Sequence, residues 1–100
     1  MKVLLSFRAS KSVALTFDDG PDPQYTPALL KILKRHGAKA TFFVLGKQAE
    51  LYPEILREIV ASGSEIGNHS YSHPSFWSLS LTSRLREIRS CERAVGKDCK

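Results

Sequence analysis

Two polar clusters carry residue types that could perform chemistry. The first is the adjacent pair Asp18 and Asp19 in "LTFDDGPDP", and the second is the pair His69 and His73 in "NHSYSHP". Neighbouring carboxylates repel each other, so the aspartate pair predicts a positive charge close by. Two neutral imidazoles and one carboxylate form a common three-ligand site for a catalytic metal. The sequence therefore predicts a divalent cation that both clusters share.

A divalent cation would give these side chains distinct roles in a hydrolysis reaction. A metal lowers the pKa of its bound water towards ~7. One carboxylate would bind the metal, and the other would lie beside the water and accept a proton as a general base. The predicted reaction is metal-assisted hydrolysis of an acyl bond. Nitrogen and oxygen ligands suit zinc, cobalt, nickel or iron, and the residues leave this choice open.

Each cluster also has an explanation that needs no ligand. Aspartate, glycine and proline favour turns on their own account, and two histidines in a serine-rich loop can simply be surface residues. We favour a metal site because each cluster follows a predicted strand of one sheet. The third histidine, His36, lies at the end of a predicted helix just before Gly37. We expect it at the opposite edge of the sheet, where it can interact with the helix dipole.

The elements that must position these residues are strands alternating with helices. Short apolar runs predict strands at residues 12–17, 40–44 and 64–68. Apolar residues at helical spacing predict a helix from the N-cap Thr26, with Pro27 first, to Gly37, and a second helix from Pro53 to Gly63. A last helix is predicted to begin near Ser80 and to end at Gly96.

This order of three βα units predicts a parallel sheet with right-handed crossovers. Both polar clusters then lie at the carboxyl edge of the sheet, which is where open α/β sheets and (β/α) barrels place their active sites. Asp18, Asp19, His69 and His73 are therefore expected to converge, although about fifty positions separate the two pairs.

Length and composition favour one small globular domain. The 100 residues are 42% hydrophobic, which suffices for one modest core. No apolar run approaches the ~20 residues that span a bilayer. The opening "MKVLLSFRASKS" is too short and too interrupted for a signal peptide, so no export signal is expected. Cys91 and Cys99 could form one disulfide, but the spacing favours buried or free thiols.

The net charge of +5 would favour anionic partners. Basic residues concentrate in residues 31–39 and in residues 84–100. No RNA-binding aromatic motif or zinc-finger spacing accompanies them, so we interpret both groups as solvated helix faces and expect no nucleic-acid partner. An anion-binding basic protein is the third hypothesis for function, and it would require neither the aspartates nor the histidines.

The motifs also resemble those of a known family. "TFDDG" followed by "HSYSH", with "ATFFVLG" and "EIGNHSYSHP" between and around them, closely resembles the polysaccharide deacetylases, also called the NodB homology domain or carbohydrate esterase family 4. The likeness runs from about Lys11 to the C-terminus. It implies that residues 1–10 are an N-terminal extension and that residues 11–100 are the N-terminal half of a catalytic domain.

The resemblance implies α/β architecture, part of a deformed (β/α) barrel that removes acetyl groups. The substrate would be N-acetylglucosamine in chitin oligomers or peptidoglycan, and acetylated xylan is the alternative. Asp18 would be the catalytic base, and Asp19, His69 and His73 would bind a divalent metal, typically zinc. Because such polymers lie outside the membrane, the resemblance implies a secreted or cell-envelope protein.

The family pattern continues beyond Lys100 with an arginine motif, an Asp-Trp region and a late histidine that acts as general acid. Trp77 does not replace that tryptophan and is expected at the surface or at the rim of the site. We therefore expect a chain truncated after three βα units, weak activity in isolation, and a missing C-terminal half or partner chain. The second hypothesis for function is a non-catalytic module that binds carbohydrate or metal.

Overall fold

A four-stranded sheet organises the chain in the computed structural model, which describes residues 3–7 and 13–98. The strands lie in the order β1, β2, β3, β4. Strand β2 is parallel to β3, and β3 is parallel to β4, which confirms the predicted parallel arrangement. The bounds are Val3–Phe7 for β1, Val13–Asp18 for β2, Thr41–Val44 for β3 and Glu65–Asn68 for β4.

Strand β1 was not predicted from the sequence. It pairs with β2 in the antiparallel sense, with Val3 opposite Phe17 and Phe7 opposite Val13. A lone five-residue apolar run has no periodicity that separates a strand from an irregular segment, and only the partner strand decides its conformation. The sheet is therefore mixed, with one antiparallel strand beside three parallel ones.

Four α-helices follow the strands, and three of them were predicted. Helix α3 begins at Pro53 as expected, and Ser80 caps α4 because its Oγ accepts the N–H of Ser83 at 3.2 Å. Helix α2, which begins at Gly46, was missed, since Gly46 was interpreted only as the end of a strand. The helices are α1 (Tyr25–Arg35), α2 (Gly46–Leu51), α3 (Pro53–Ala61) and α4 (Leu81–Val95), with 3-10 turns at Phe76–Ser78 and Gly96–Asp98.

The start of α1 corrects the predicted cap. The helix begins at Tyr25 and not at Pro27, so Thr26 lies inside its first turn. The reason is Asp22, whose Oδ1 accepts the N–H groups of Gln24 at 2.8 Å and Tyr25 at 2.7 Å. The Oγ1 of Thr26 in turn accepts the N–H of Asp22 at 2.8 Å. Asp22 therefore supplies the N-terminal acceptor that Thr26 was predicted to supply.

The core lies between the helices and one face of the sheet. Strand residues Phe17, Phe42 and Ile66 are neighbours in register on this face, and Phe17 and Phe42 stack with ring centroids 5.3 Å apart. Buried side chains from the sheet and the four helices complete the core: Leu33, Val44, Ala49, Leu56, Ile59, Cys91 and Val95. The alternating residues Thr16, Thr41 and Glu65 form a row on the opposite, more exposed face.

Helices α2 and α4 approach each other closely at Gly46. A Cβ atom at this position would lie 2.8 Å from Cα of Cys91, so no larger residue fits without a shift of the helices. Cys91 is fully buried, as predicted, and its Sγ lies 3.5 Å from the carbonyl oxygen of Val44. The other cysteine of the predicted pair, Cys99, lies outside the described residues.

Within the part of the chain that the structure describes, no helix is long and apolar enough to cross a bilayer.

Candidate metal centre

The first part of the candidate site is the turn that follows β2. Asp18 is the last residue of the strand, opposite Phe43, and only 9% of its surface is exposed. Asp19 begins the turn with a left-handed backbone, at a φ of 72°, and its N–H donates to the carbonyl oxygen of Phe43 at 3.1 Å. Aspartate is one of the few residues that adopt this conformation with some frequency. The aspartate pair thus lies at the carboxyl edge of the sheet, as predicted.

The second part is the loop that follows β4. The N–H of His69 donates to the carbonyl oxygen of Val44 at 3.0 Å, which holds this residue against the end of β3. The chain then turns at Ser70 and His73, whose φ angles are 73° and 63°. Asn68 Oδ1 accepts the N–H of Ser70 at 2.9 Å, and Ser70 Oγ accepts the N–H of His73 at 3.1 Å. The two histidines therefore lie in a loop and not on a helix.

The short helix α2 supports both parts of the site. The N–H of Leu45, just before the helix, donates to the carbonyl oxygen of Gly20 in the aspartate turn at 2.9 Å. The N–H groups of Gly46 and Lys47 donate to the carbonyl oxygens of Ser70 and Tyr71 in the histidine loop at 3.0 and 3.1 Å. These donors are the amides that the first turn of a helix leaves without internal partners. Helix α2 is therefore the element that fixes one loop relative to the other.

These supports bring three of the four predicted site residues together. Oδ1 of Asp19 lies 3.0 Å from Nε2 of His69 and 3.5 Å from Nε2 of His73. The two imidazole ring centroids are 5.1 Å apart, and one ligand atom from each of the three residues lies within 4.8 Å of the others. Asp18 is not a member of this cluster but precedes it directly in sequence. Its assignment as the base stays a prediction.

The three residues fit a divalent metal. Oδ1 of Asp19 is buried and has no hydrogen-bond partner among the described residues. An unpaired buried oxygen is costly, and a cation would satisfy it. Two tetrahedral zinc ligands at 2.0–2.1 Å stand roughly 3.3 Å apart, close to both observed distances. The donor set of two nitrogens and one oxygen is also common for zinc.

A cavity of about 350 Å³ adjoins the two histidines. Its lining includes the polar residues His69 and His73 and the apolar residues Pro74, Phe76 and Ile88. A small ligand in this cavity could therefore reach the imidazoles and also contact apolar side chains. The sequence did not indicate this cavity, because Ile88 comes from α4 and meets the histidine loop only in the folded chain.

His36 and Trp77 were not predicted as metal ligands, and neither belongs to the cluster of Asp19, His69 and His73. His36 is exposed at the C-cap of α1, at the amino edge of the sheet, as predicted. The side chain of Trp77 is 94% exposed, in agreement with a surface position.

Tyr71 lies in the histidine loop itself, and its OH donates to Oε2 of Glu50 at 2.8 Å. This hydrogen bond to a carboxylate raises the pKa of Tyr71 above its usual 10.0.

Comparison with known proteins agrees with this fold. A family model described as polysaccharide deacetylase matches residues 8–100. The chain therefore belongs to the polysaccharide deacetylase family.

Individual relatives give the same result. The chain is 59% identical over 85 residues to a peptidoglycan-N-acetylglucosamine deacetylase of Bacillus cereus. This alignment covers 85% of this chain and 31% of that protein. It is 41% identical over 88 residues to a chitooligosaccharide deacetylase of Sinorhizobium fredii, covering 88% of this chain and 41% of that protein. The chain thus spans about a third to two fifths of the length of these two relatives.

A solved structure shows the likeness in three dimensions. The crystal structure of a peptidoglycan N-acetylglucosamine deacetylase superposes with a TM-score of 0.81 at 43% sequence identity. The alignment covers 84% of this chain and 39% of that chain. The three parallel strands alternating with helices therefore match part of the fold of this family.

Proposed function

We propose that this chain carries the metal site and the catalytic base of a metal-dependent deacetylase. The substrate would be N-acetylglucosamine in a polysaccharide, either peptidoglycan or chitin oligomers, and the bond broken would be the amide carbon–nitrogen bond of the acetyl group. The observation that carries the proposal is the convergence of Asp19, His69 and His73 within 4.8 Å at the carboxyl edge of the sheet. Two relatives named as deacetylases of these two polymers support the substrate class.

In the proposed site, Asp19, His69 and His73 would hold the divalent ion, with zinc as the first choice and cobalt, nickel or iron as alternatives. When bound, such an ion supplies Lewis acidity for water and for the acetyl oxygen. Asp19 contributes the only carboxylate oxygen of the cluster. The histidines can serve as ligands only as neutral imidazoles, since a protonated ring has no lone pair to donate.

Asp18 is the proposed general base. It is an acceptor at the end of β2, next in sequence to the proposed ligand Asp19 and largely shielded from solvent. Attack of water on the acetyl carbon forms a carbon–oxygen bond, and the released proton passes to the Asp18 carboxylate. The carbon–nitrogen bond then breaks, and the leaving amine takes up a proton, which Asp18 can return. The products are acetate and the free amino sugar.

A polypeptide of these 100 residues alone is expected to turn over slowly. The described residues place one metal cluster and one carboxylate at the sheet edge, whereas acyl transfer also needs donors to the developing oxyanion. The whole protein would act where its polymer is, at the cell envelope or outside the cell. An esterase acting on acetylated xylan and a metal-binding module without activity are the competing functions.

The experiment is a zinc titration by calorimetry, with acetate release measured in the same samples. Substrates are N-acetylglucosamine oligomers, peptidoglycan and acetylated xylan. We expect the wild-type chain to bind one zinc ion, Asp19→Ala and His69→Ala to lose binding, and Asp18→Asn to keep binding but release no acetate. The matched control is His36→Ala, which removes a histidine at the other edge and should bind as the wild type does.

Each outcome has a defined meaning. Zinc binding with acetate released from the N-acetylated polymers supports the deacetylase, and release from xylan alone would favour the esterase. Zinc binding without any acetate would favour the non-catalytic module. A folded wild-type chain that binds no zinc, or that binds it equally well without Asp19, contradicts the proposed site.

A further inference from the structure

The position of His73 depends on the backbone that carries it. Its side chain is 53% exposed, and its only polar contact in the described part of the chain is with Asp19, at 3.5 Å. Within residues 70–73 the backbone turns twice through the left-handed region, at Ser70 and at His73. Such conformations persist only where the surrounding structure holds them. The contacts of the histidine loop therefore decide where Nε2 of His73 lies.

Helix α4 supplies one of these contacts through Glu87. Oε1 of Glu87 accepts the N–H of Ser72 at 2.9 Å and the hydroxyl of Ser72 at 3.0 Å, and Oε2 lies 3.2 Å from the same hydroxyl. Ser72 is the residue directly before His73. Hydrogen bonds to an ionised carboxylate are shorter and stronger than neutral ones. Glu87 thus holds both the backbone N–H and the hydroxyl of the residue that precedes the imidazole.

The same helix holds the loop on both sides of this contact. The side-chain amide of Asn68 donates to the carbonyl oxygen of Ile88 at 2.8 Å, before the histidines. Nε of Arg84 donates to the carbonyl oxygen of Phe76 at 2.8 Å, after them. Three contacts with α4, made by Arg84, Glu87 and Ile88, therefore hold the loop. Glu87 provides the central one along the loop, at the residue directly before His73.

We propose that Glu87 is a positioning residue for the metal site: its carboxylate fixes Ser72, the residue directly before His73, and thereby places Nε2 of His73 beside Asp19. The proposal rests on the proposed metal-binding function. Glu87 itself would not bind the metal, because it is not part of the cluster formed by Asp19, His69 and His73. Its effect would reach the site through the backbone, as the outer contacts of metal ligands do.

Three substitutions separate the parts of this role. Glu87→Ala removes the acceptor and should weaken zinc binding about 10- to 100-fold, the range for the loss of an outer contact. Glu87→Gln keeps an oxygen that can accept from Ser72 and should restore most of the affinity. Glu87→Asp keeps the charge but is shorter by one methylene group, so it should weaken binding in the same direction as Glu87→Ala. The control is Glu92→Ala, on the same helix and exposed.

The measurements are zinc affinity by calorimetry, the visible absorption of bound cobalt, and melting of the metal-free chain. A residue that only stabilised the helix would change melting but would leave the affinity and the cobalt spectrum of the folded protein as they are. A positioning residue changes the affinity and the spectrum at temperatures well below melting. If Glu87→Ala does not fold, Glu87→Asp and Glu87→Gln give the same comparison.

The expected result is weak zinc binding and an altered cobalt spectrum in Glu87→Ala and Glu87→Asp, near-normal values in Glu87→Gln, and wild-type values in Glu92→Ala. If the wild type binds zinc and the alanine and aspartate variants bind it as tightly as Glu92→Ala, the positioning role of Glu87 is wrong and the metal site stands. If the wild type binds no zinc, the metal site and the role of Glu87 both fail.

Discussion

The two edges of the sheet use the left-handed backbone conformation in different ways. At the amino edge, Gly37 follows α1 and Gly63 follows α3, and their φ angles are 62° and 85°. At the carboxyl edge, the residues with positive φ are Asp19, Ser70 and His73. Glycine adopts this conformation at little cost, whereas other residues pay roughly 1 kcal/mol. Among the described residues, non-glycine residues with this conformation lie at the carboxyl edge.

The difference shows what each edge must provide. The amino edge needs only to end a helix and reverse the chain, and glycine does so without a side chain. The carboxyl edge needs a turn and a side chain at the same residue, because Asp19 and His73 carry two of the three proposed ligand atoms. Backbone strain of this kind concentrates at functional sites in proteins. The left-handed aspartate and histidine therefore agree with the proposed metal site.

The largest effect is expected from Asp19→Gly. Glycine keeps the turn and relieves the strain but removes the ligand oxygen, so zinc affinity should fall by more than the roughly 100-fold that loss of an outer contact costs. The free energy of unfolding of the metal-free chain should stay equal or rise by about 1 kcal/mol. Calorimetry and urea denaturation measure the two quantities. Lower stability with retained zinc binding would mean that Asp19 is a structural turn residue.

The next largest effect, a loss of stability, is expected from a substitution of Gly67 in β4. The φ of Gly67 is negative, but its surroundings leave no space for a side chain. A Cβ atom there would lie 2.4 Å from Cδ1 of Phe43, so Gly67→Ala should destabilise the fold by about 1–3 kcal/mol. Urea denaturation measures this loss. In a Phe43→Ala background the same substitution should cost less, because the ring that it would meet is gone. Equal costs in both backgrounds would rule out the clash.

A smaller effect is expected at the amino edge from Gly37→Ala. A Cβ atom at Gly37 meets no atom within 4 Å, so the cost is that of the left-handed backbone alone, about 1 kcal/mol of unfolding free energy. Zinc affinity should equal that of the wild type. Together with Asp19→Gly, this variant forms a mirrored pair with opposite changes in stability. The comparison between the edges breaks down if Gly37→Ala reduces zinc binding.

The smallest effect concerns the support of the histidine loop by α2. Glu50→Gln should lower the pKa of Tyr71 towards 10.0, because the amide cannot stabilise the neutral hydroxyl as the carboxylate does. Ultraviolet titration measures this change, and Tyr71→Phe assigns the signal. Since the folded pKa is raised, the contribution to stability is present below the unfolded pKa and is lost as pH rises through the folded one. An unchanged pKa in Glu50→Gln would exclude the contact with Glu50.

The sequence predicted the elements that have strong local signals. These signals are Pro53 and Ser80 near helix starts, and Gly37 and Gly63 after helices. Each acts within one or two residues of itself, so its effect can be predicted without a fold. The convergence of the aspartate turn and the histidine loop followed from strand order alone. Parallel strands bring their carboxyl ends to one edge whatever packs around them.

The elements that were missed depend on contacts distant in sequence. Strand β1 exists as a strand through its pairing with β2, and α2 is six residues long, too short for helical periodicity. Its first residue, Gly46, argued against a helix, although the close approach of Cys91 requires glycine there. The contact between Glu87 and Ser72 joins residues fifteen apart on different elements, and no spacing rule links them.

The metal site is tested most directly by the position of a bound ion in a crystal of the zinc-loaded chain. Anomalous diffraction recorded at the zinc edge locates the ion independently of the protein. We predict one strong peak within about 2.0–2.2 Å of Oδ1 of Asp19 and of Nε2 of His69 and His73. A zinc peak at other residues, or none at this cluster in a well-ordered crystal, would contradict the site.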